Sequence, residues 1–197
     1  MCGRWKRDTD GGMAKDDRLR WDRRWREECA ARPFEPHPLL VRYADRLSGG
    51  DALDLACGRG QNAIWLAEHG YRVEAIDISP VALAVARTEA ARRGLSVNFI
   101  EADLDTYLLP VAAYDLIAVF YFLNRGLLPA IRAALRPGGW LFYETFNTGR
   151  LACDPHIPPA YLLEPGELPR HFADWHIVEA GDDGSRPHAS YIVCRKP

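Results

Sequence analysis

Between residues 52 and 146, short apolar runs alternate with helical patterns, and glycines punctuate the joins. No other feature constrains the fold as strongly. ALDLA (52–56) runs into the turn CGRG, which opens a helical pattern from Asn62 to His69 that Gly70 stops. YRVEAID (71–77) reads as a strand. Ser79 can cap the next helix with Pro80 at its first position, and Val81 to Arg93 carries it to Gly94. VNFIEAD (97–103) is a third strand. YDLIAVFYF (114–122) is apolar on both faces, as a central parallel strand must be. Leu127 to Leu135 is a short helix, and GGWLFYETF (138–146) is a fifth strand. Strands alternating with helices predict an α/β, Rossmann-like doubly wound parallel sheet.

The ending breaks that rhythm. After a short helix from Glu167 to Phe172, WHIVEAGDD and SYIVCRK flank the polar turn GSRPH. Two strands joined by a short loop predict an antiparallel pair closing the sheet. The loop 147–165 is long and proline-rich, and it carries Arg150, Cys153 and His156. Loops of that length are often lids or binding loops, the alternative being a surface excursion.

The N-terminal part has a different character. Residues 1–20 mix both charges with glycines and show no apolar period, so they are expected to be a disordered tail, with the true start left open between Met1 and Met13. Residues 21–48 place Trp21, Trp25, Leu39, Leu40, Tyr43 and Leu47 at helical spacings, broken at RPFEPHP. Residues 49–197, which carry the alternating pattern, are expected to form the main domain.

A chain of 197 residues suits one domain burying roughly 70% of its unfolded surface, so it needs no disulfide or metal staple. The net charge of −2 argues against a dedicated nucleic-acid binder, and the longest apolar run, Leu116 to Leu123, is too short to span a bilayer. Five scattered cysteines without C-x-x-C spacing read as reduced thiols in a cytoplasm, with no metal site.

In an open parallel sheet, ligands bind at the carboxyl ends of the strands. Gly58 and Gly60 sit at such an end and let the backbone turn without a Cβ. Gly58-x-Gly60-x-x-Ala63, with Asp77 downstream, loosely fits a dinucleotide fingerprint. Asp54, however, would repel a pyrophosphate and can instead take up an ammonium or a water. S-adenosylmethionine carries an ammonium and a sulfonium and no phosphate, so the sign of the charge favours it. Asp77 and Asp103 end the next two strands, where carboxylates can accept from ribose hydroxyls and from an adenine amino group. Each has a structural alternative: Asp77 as a neighbour of the helix cap, Asp103 as the cap of a loop.

ALDLACGRGQNAIWLAEHGYRVEAIDISPVALAVA, FIEADL, YDLIAVF and LRPGGWLFYETF resemble, in order, the motifs of class I S-adenosylmethionine-dependent methyltransferases. The resemblance covers roughly residues 35–197. It implies a seven-stranded sheet, mostly parallel, with an antiparallel C-terminal strand. It implies that Asp54, Gly58 and Gly60 line the methionine part of the cofactor, Asp77 the ribose, and Asp103 with Leu104 the adenine. Ala56, Cys57, Asn62, Ile78, Ser79 and Phe120 are implied as further cofactor contacts. The family often has glycine where Ala56 stands, so slight crowding is expected there.

CGRGQNAIWLAEHGYRVEAID and YLLEPGELPRHFADWHIVE resemble the tellurite-resistance and thiopurine methyltransferase-like branch, and WDRRWREE with FEPHPLLV resembles its N-terminal lid segment. That branch implies a small-molecule acceptor, with a soft sulfur, selenium or tellurium nucleophile. The stretch FYFLNR lacks the D/N-P-P-Y motif of base- and amide-nitrogen methylases. Tyr121, Asn124, Arg125 and His188 are the candidates for catalysis, with Tyr143 a further possible base. The alternatives are an RNA or protein methyltransferase, using the arginines between Arg18 and Arg26 as a docking patch, and a non-catalytic cofactor-binding domain.

Overall fold

The computed structural model describes residues 13–28 and 33–197. Its strands are β1 (Gly50–Leu55), β2 (Tyr71–Asp77), β3 (Val97–Glu101), β4 (Tyr114–Phe120), β5 (Leu135–Phe146), β6 (His176–Gly181) and β7 (Ala189–Arg195). They form one seven-stranded sheet in the order β3-β2-β1-β4-β5-β7-β6, that of a doubly wound fold. The described chain divides into two compact units, the first ending at Tyr107 and the second beginning at Leu108.

In the first unit β1, β2 and β3 run parallel, with Asp54 opposite Ala75 and Asp77 opposite Glu101. The apolar residues of ALDLA face both ways, and Ala52, Leu53 and Leu55 are fully buried. The helices are α1 (Met13–Glu28), α2 (Pro38–Arg42), α3 (Gln61–Glu68) and α4 (Pro80–Arg92). Ile64 and Leu66 of α3 and Leu83 of α4 complete this core, each contributing about 1.5–3 kcal/mol by leaving water. Ser79 caps α4 as its sequence predicts: its Oγ accepts from the Ala82 backbone N–H at 3.2 Å. Pro38 starts α2, and His37 caps it through Nδ1, which accepts from the Leu39 N–H.

The disordered tail expected over residues 1–20 is corrected for 13–20, because α1 begins at Met13; residues 1–12 lie outside the described residues. The cause is local. Ala14, Lys15, Leu19 and the arginines are strong helix formers, and Arg20 pairs with Asp17 one turn back. Arg18 also reaches Glu101 of β3 at 3.3 Å. Charge pairs rather than an apolar stripe hold this end, so a search for hydrophobic period passes over it.

In the second unit β4 runs parallel to β5, β5 antiparallel to β7, and β7 antiparallel to β6. The inserted antiparallel strand is therefore β7. β5 starts at Leu135, earlier than its sequence suggests, because Leu135 pairs with Tyr114 ahead of an irregularity in the ladder. Two further helices, α5 (Leu128–Ala134) and α6 (Glu167–His171), belong to this unit. The loop 147–165 is built from two short 3-10 helices, Thr148–Ala152 and Pro159–Tyr161. Among the described residues no helix is long and apolar enough to cross a membrane.

Candidate cofactor and acceptor sites

The first unit gathers almost all the residues implied for the cofactor. β1 brings Asp54 to its end, and the turn 56–60 follows. Ala56, Gly58 and Gly60 all take positive φ (55°, 54° and 77°), which winds the chain back tightly enough to start α3. The Cys57 N–H donates to Ile76 O at 3.0 Å, fixing the turn to β2.

Asp54 is buried, and its Oδ2 accepts from the Ala63 N–H at 3.1 Å in the first turn of α3. Its Oδ1 accepts nothing among the described residues. Burial pushes this carboxyl up to about 8; the Ala63 N–H pulls against that and the Asp77 charge adds to it. Such a group gains most from a cation, which restores what burial removed. Asp77 is buried too, and both oxygens meet the backbone: Oδ2 accepts from Gly58 N–H at 2.7 Å and Oδ1 from Ser79 N–H at 2.9 Å. Each carboxylate oxygen has a second lone pair, so capacity for ribose hydroxyls remains. Burial raises the Asp77 carboxyl, against the pull of those N–H groups.

Asp103 lies beyond β3, half-buried, and its Oδ1 accepts from Asp105 N–H at 2.9 Å. That is the loop-capping geometry weighed as its alternative, with Oδ2 left over. Leu104 beside it is buried, and Ile78 is half-buried next to Asp77. Asn62 has a structural duty: its Oδ1 accepts from His37 N–H at 2.8 Å, tying the approach to α2 onto α3. Cys57 is buried, and burial pushes its thiol well up, with Asp77 and Asp54 adding, so it is no ready nucleophile. Phe120 belongs to the second unit, where it ends β4, buried.

The turn glycines serve packing more than expected. A Cβ on Gly60 would stand 2.9 Å from both Ala86 and the Phe99 ring. A Cβ on Gly58 would stand 2.8 Å from the Trp25 ring of α1. Sequence reading missed the residue that anchors this helix. Asp22 is buried and accepts from Ser79 Oγ at 2.5 Å. It sits in a run of charges, WDRRWREE, which reads as a solvated face. The available signal was its place one turn from both Arg18 and Trp25, on one side of the helix. Arg59 was missed as well. It is buried, its guanidinium lies over Trp25 and Phe34, and it donates to Pro33 O at 3.2 Å. Carboxylates and glycine turn thus fit the implied cofactor in charge and placement.

Residues 52–139 match the family described as methyltransferase domain. The chain is 35% identical over 162 residues to Hemagglutinin 1 of Eikenella corrodens, covering 78% of this chain and 53% of that protein. It is 32% identical over 138 residues to the ubiquinone biosynthesis O-methyltransferase of Nitrosospira multiformis, covering 65% of this chain and 56% of that one. Its fold is similar to TehB from Haemophilus influenzae, at 20% identity and a TM-score of 0.72, covering 90% of this chain and 67% of that one. Residues 52–139 thus carry a methyltransferase domain, within the fold of the class I S-adenosylmethionine-dependent methyltransferases. It spans about half the length of the curated relatives it matches.

The catalytic candidates lie in the second unit. Tyr121 follows β4 with φ 57°, uncommon for a bulky residue. Its hydroxyl meets Glu144 Oε1 at 3.2 Å and Ser185 Oγ at 2.8 Å. Burial pushes that phenol up to about 12. Asn124 caps a short 3-10 turn, its Oδ1 accepting from Gly126 N–H at 2.8 Å. Arg125 is tied down by Glu167 (2.6 and 2.9 Å) and by the carbonyls of Ala160 and Leu162, so it holds the loop 147–165. His188 also has positive φ, 60°, and its backbone joins Asp183 and Asn147. Tyr143 is buried, donates to Phe122 O at 3.1 Å, and burial pushes its phenol up. Glu144, absent from the sequence candidates, is buried and accepts from the Ser185 N–H and Oγ. Among the described residues no group of His, Cys, Asp and Glu could hold a metal ion.

Proposed function

We propose that this chain transfers the methyl group of S-adenosylmethionine to a small molecule whose acceptor atom is a soft sulfur, selenium or tellurium nucleophile. The observation that carries the methyl-donor half is Asp54, a buried carboxyl group at the carboxyl end of β1 with one oxygen unengaged among the described residues. Asp54 would take the ammonium, Asp77 the ribose hydroxyls, and Asp103 with Leu104 the adenine. When bound, S-adenosylmethionine supplies a methyl already activated on sulfur; the acceptor's lone pair takes it and the carbon–sulfur electron pair stays on the departing thioether. The chain's own task is positioning and water exclusion.

Residues 21–48 would act as the lid on this site. Trp25 over Gly58 and Asp22 on Ser79 support this reading, since both contacts bring α1 against the turn that would hold the methionine part. The ubiquinone relatives favour a small-molecule acceptor over RNA or protein. The soft nucleophile is favoured by the tyrosines: phenols pushed up to about 12 or beyond are poor bases at neutral pH, which suits an acceptor that is already an anion.

The test is to incubate the protein with methyl-tritiated S-adenosylmethionine and cell extract supplemented with tellurite, selenite and thiols. Label in volatile or small soluble products upholds the proposal. Label on RNA or protein overturns the acceptor class and moves attention to the arginines of α1. Tight cofactor binding with no labelled product in any fraction points to a cofactor-binding domain without catalysis.

A further inference from the structure

In the second unit, five arginines have evident partners. Arg125, Arg132 and Arg136 pair with Glu167, Asp174 and Asp115. Arg170 and Arg195 donate to the carbonyls of Pro165 and Gly138. Arg150 and Arg186 differ: among the described residues their guanidinium groups meet neither a carboxylate nor a carbonyl. Arg150 Nε is buried without any hydrogen-bond partner.

What these two do meet is an aromatic pair. The Arg150 guanidinium lies 4.8 Å from the centre of the Phe146 ring, and that of Arg186 lies 4.9 Å from the Tyr121 ring. The two rings are 5.2 Å apart at 32°. They make a continuous row of cation, ring, ring and cation. Stacking holds each cation in place while leaving its N–H edge for an anion. The row lies where a ligand is expected, because Tyr121 follows the end of β4 and Phe146 ends β5. It is also held firmly. Tyr121 keeps its left-handed backbone, and its hydroxyl is bonded to Ser185 and Glu144. Asn147, next to Phe146, donates to Asp182 O and Ser190 Oγ, both at 3.0 Å. Among the described residues neither guanidinium forms an ion pair with a carboxylate: Glu144 accepts from Ser185 and Tyr121, Asp182 from Gly166 and Ser190, and Asp183 from His188.

We propose that this Arg150–Arg186 row recognises a methyl acceptor that carries an anionic group, whose apolar body lies along the edges of the Tyr121 and Phe146 rings. The acceptor class is then a small molecule carrying a carboxylate or an equivalent oxyanion. This rests on the methyltransferase reading above and does not depend on which atom of the acceptor is methylated.

The probes are 4-mercaptobenzoate, 4-hydroxybenzoate and 4-mercaptobenzamide, titrated by calorimetry into the full chain saturated with S-adenosylhomocysteine. The two carboxylates are expected to bind at least tenfold tighter than the amide, with a preference that weakens as salt rises. Arg150→Gln and Arg186→Gln should each cost the carboxylates about tenfold while leaving the amide and S-adenosylhomocysteine unchanged. Arg150→Lys and Arg186→Lys should keep part of the preference, since the point charge survives without the fork. Equal affinity for carboxylates and amide, an equal loss for all three probes in the Gln variants, or no binding of either carboxylate overturns the proposal. Methylation is scored separately with labelled S-adenosylmethionine. Transfer to the hydroxyl rather than the thiol removes the soft-nucleophile reading and leaves the anion preference standing.

Discussion

The Gly58 backbone N–H donates to Asp77 Oδ2 at 2.7 Å, so the acid that ends β2 fastens the glycine turn that follows β1. Its other oxygen holds the Ser79 N–H at 2.9 Å, at the start of α4. One carboxylate therefore sets two of the loops implied for the cofactor. Asp77→Ala is expected to cost about 1–3 kcal/mol of stability, because buried N–H groups lose their acceptor. It is also expected to weaken S-adenosylmethionine binding by at least about tenfold. Urea denaturation and calorimetry on the same preparation check both. A folded Asp77→Ala protein with unchanged cofactor affinity would remove Asp77 from the ribose.

Ala56 holds φ 55°, a left-handed conformation that costs a Cβ-bearing residue about 1–2 kcal/mol and glycine little. The class I motif resemblance implies slight crowding at this position. The backbone adds a second reason why glycine is common there. Ala56→Gly is expected to stabilise the fold by about 1 kcal/mol, read as a higher urea midpoint at unchanged slope. A lower or unmoved midpoint would mean that the turn relaxes without strain.

Arg125 and Glu167 form a forked ion pair at 2.6 and 2.9 Å beside the carbonyls of Ala160 and Leu162. Burial would raise the Glu167 carboxyl, but Arg125 and the Glu164 N–H win and hold it at about 2. A carboxyl depressed from 4.5 stabilises the fold fully above pH 4.5 and loses that contribution as pH falls towards 2. Arg125→Met is expected to cost about 1–2 kcal/mol at pH 7, discounted because the guanidinium is partly solvated. It should also flatten the loss of stability below pH 4.5. Denaturant titrations of both proteins at pH 6, 4 and 3 check this. Parallel curves with no change in slope would mean the pair adds nothing.

Strands, glycine turn and the acids Asp54 and Asp77 were legible because each is a local pattern: an apolar run, a glycine, an acid where the run stops; Asp103, expected to end the third strand, lies two residues past it. Asp54 and Asp77 lie buried beside the turn as that pattern implies. Asp22, Arg59 and Glu144 were not legible, because charged residues are read as exposed until something distant is known to cover them. Asp22 is buried by Ser79, 57 residues away, and Glu144 by Ser185, 41 residues away. Periodicity carries no information about such pairings. Arg125 shows the converse: its position beyond β4 suggested chemistry, and its fork shows a fastening for the loop.

Asp54 carries the most direct test of the cofactor assignment. With its carboxyl held up at about 8 by burial, the group is protonated at pH 7 in the free protein. An acid raised above its unfolded value of 3.8 makes the fold less stable as pH rises from about 4 to 8, and adds no further pH dependence above that. An ammonium placed beside Asp54 restores the charged form, so binding S-adenosylmethionine at pH 7 is expected to release close to one proton. Calorimetry at pH 7 in buffers of different ionisation enthalpy measures that number directly. Affinity should rise with pH up to about 8 as the proton comes off beforehand. Asp54→Asn should bind more weakly and release no proton at this site. Binding by the unaltered protein that is independent of buffer would place the ammonium elsewhere, and leave Asp54 as an acid that only braces the start of α3 through Ala63.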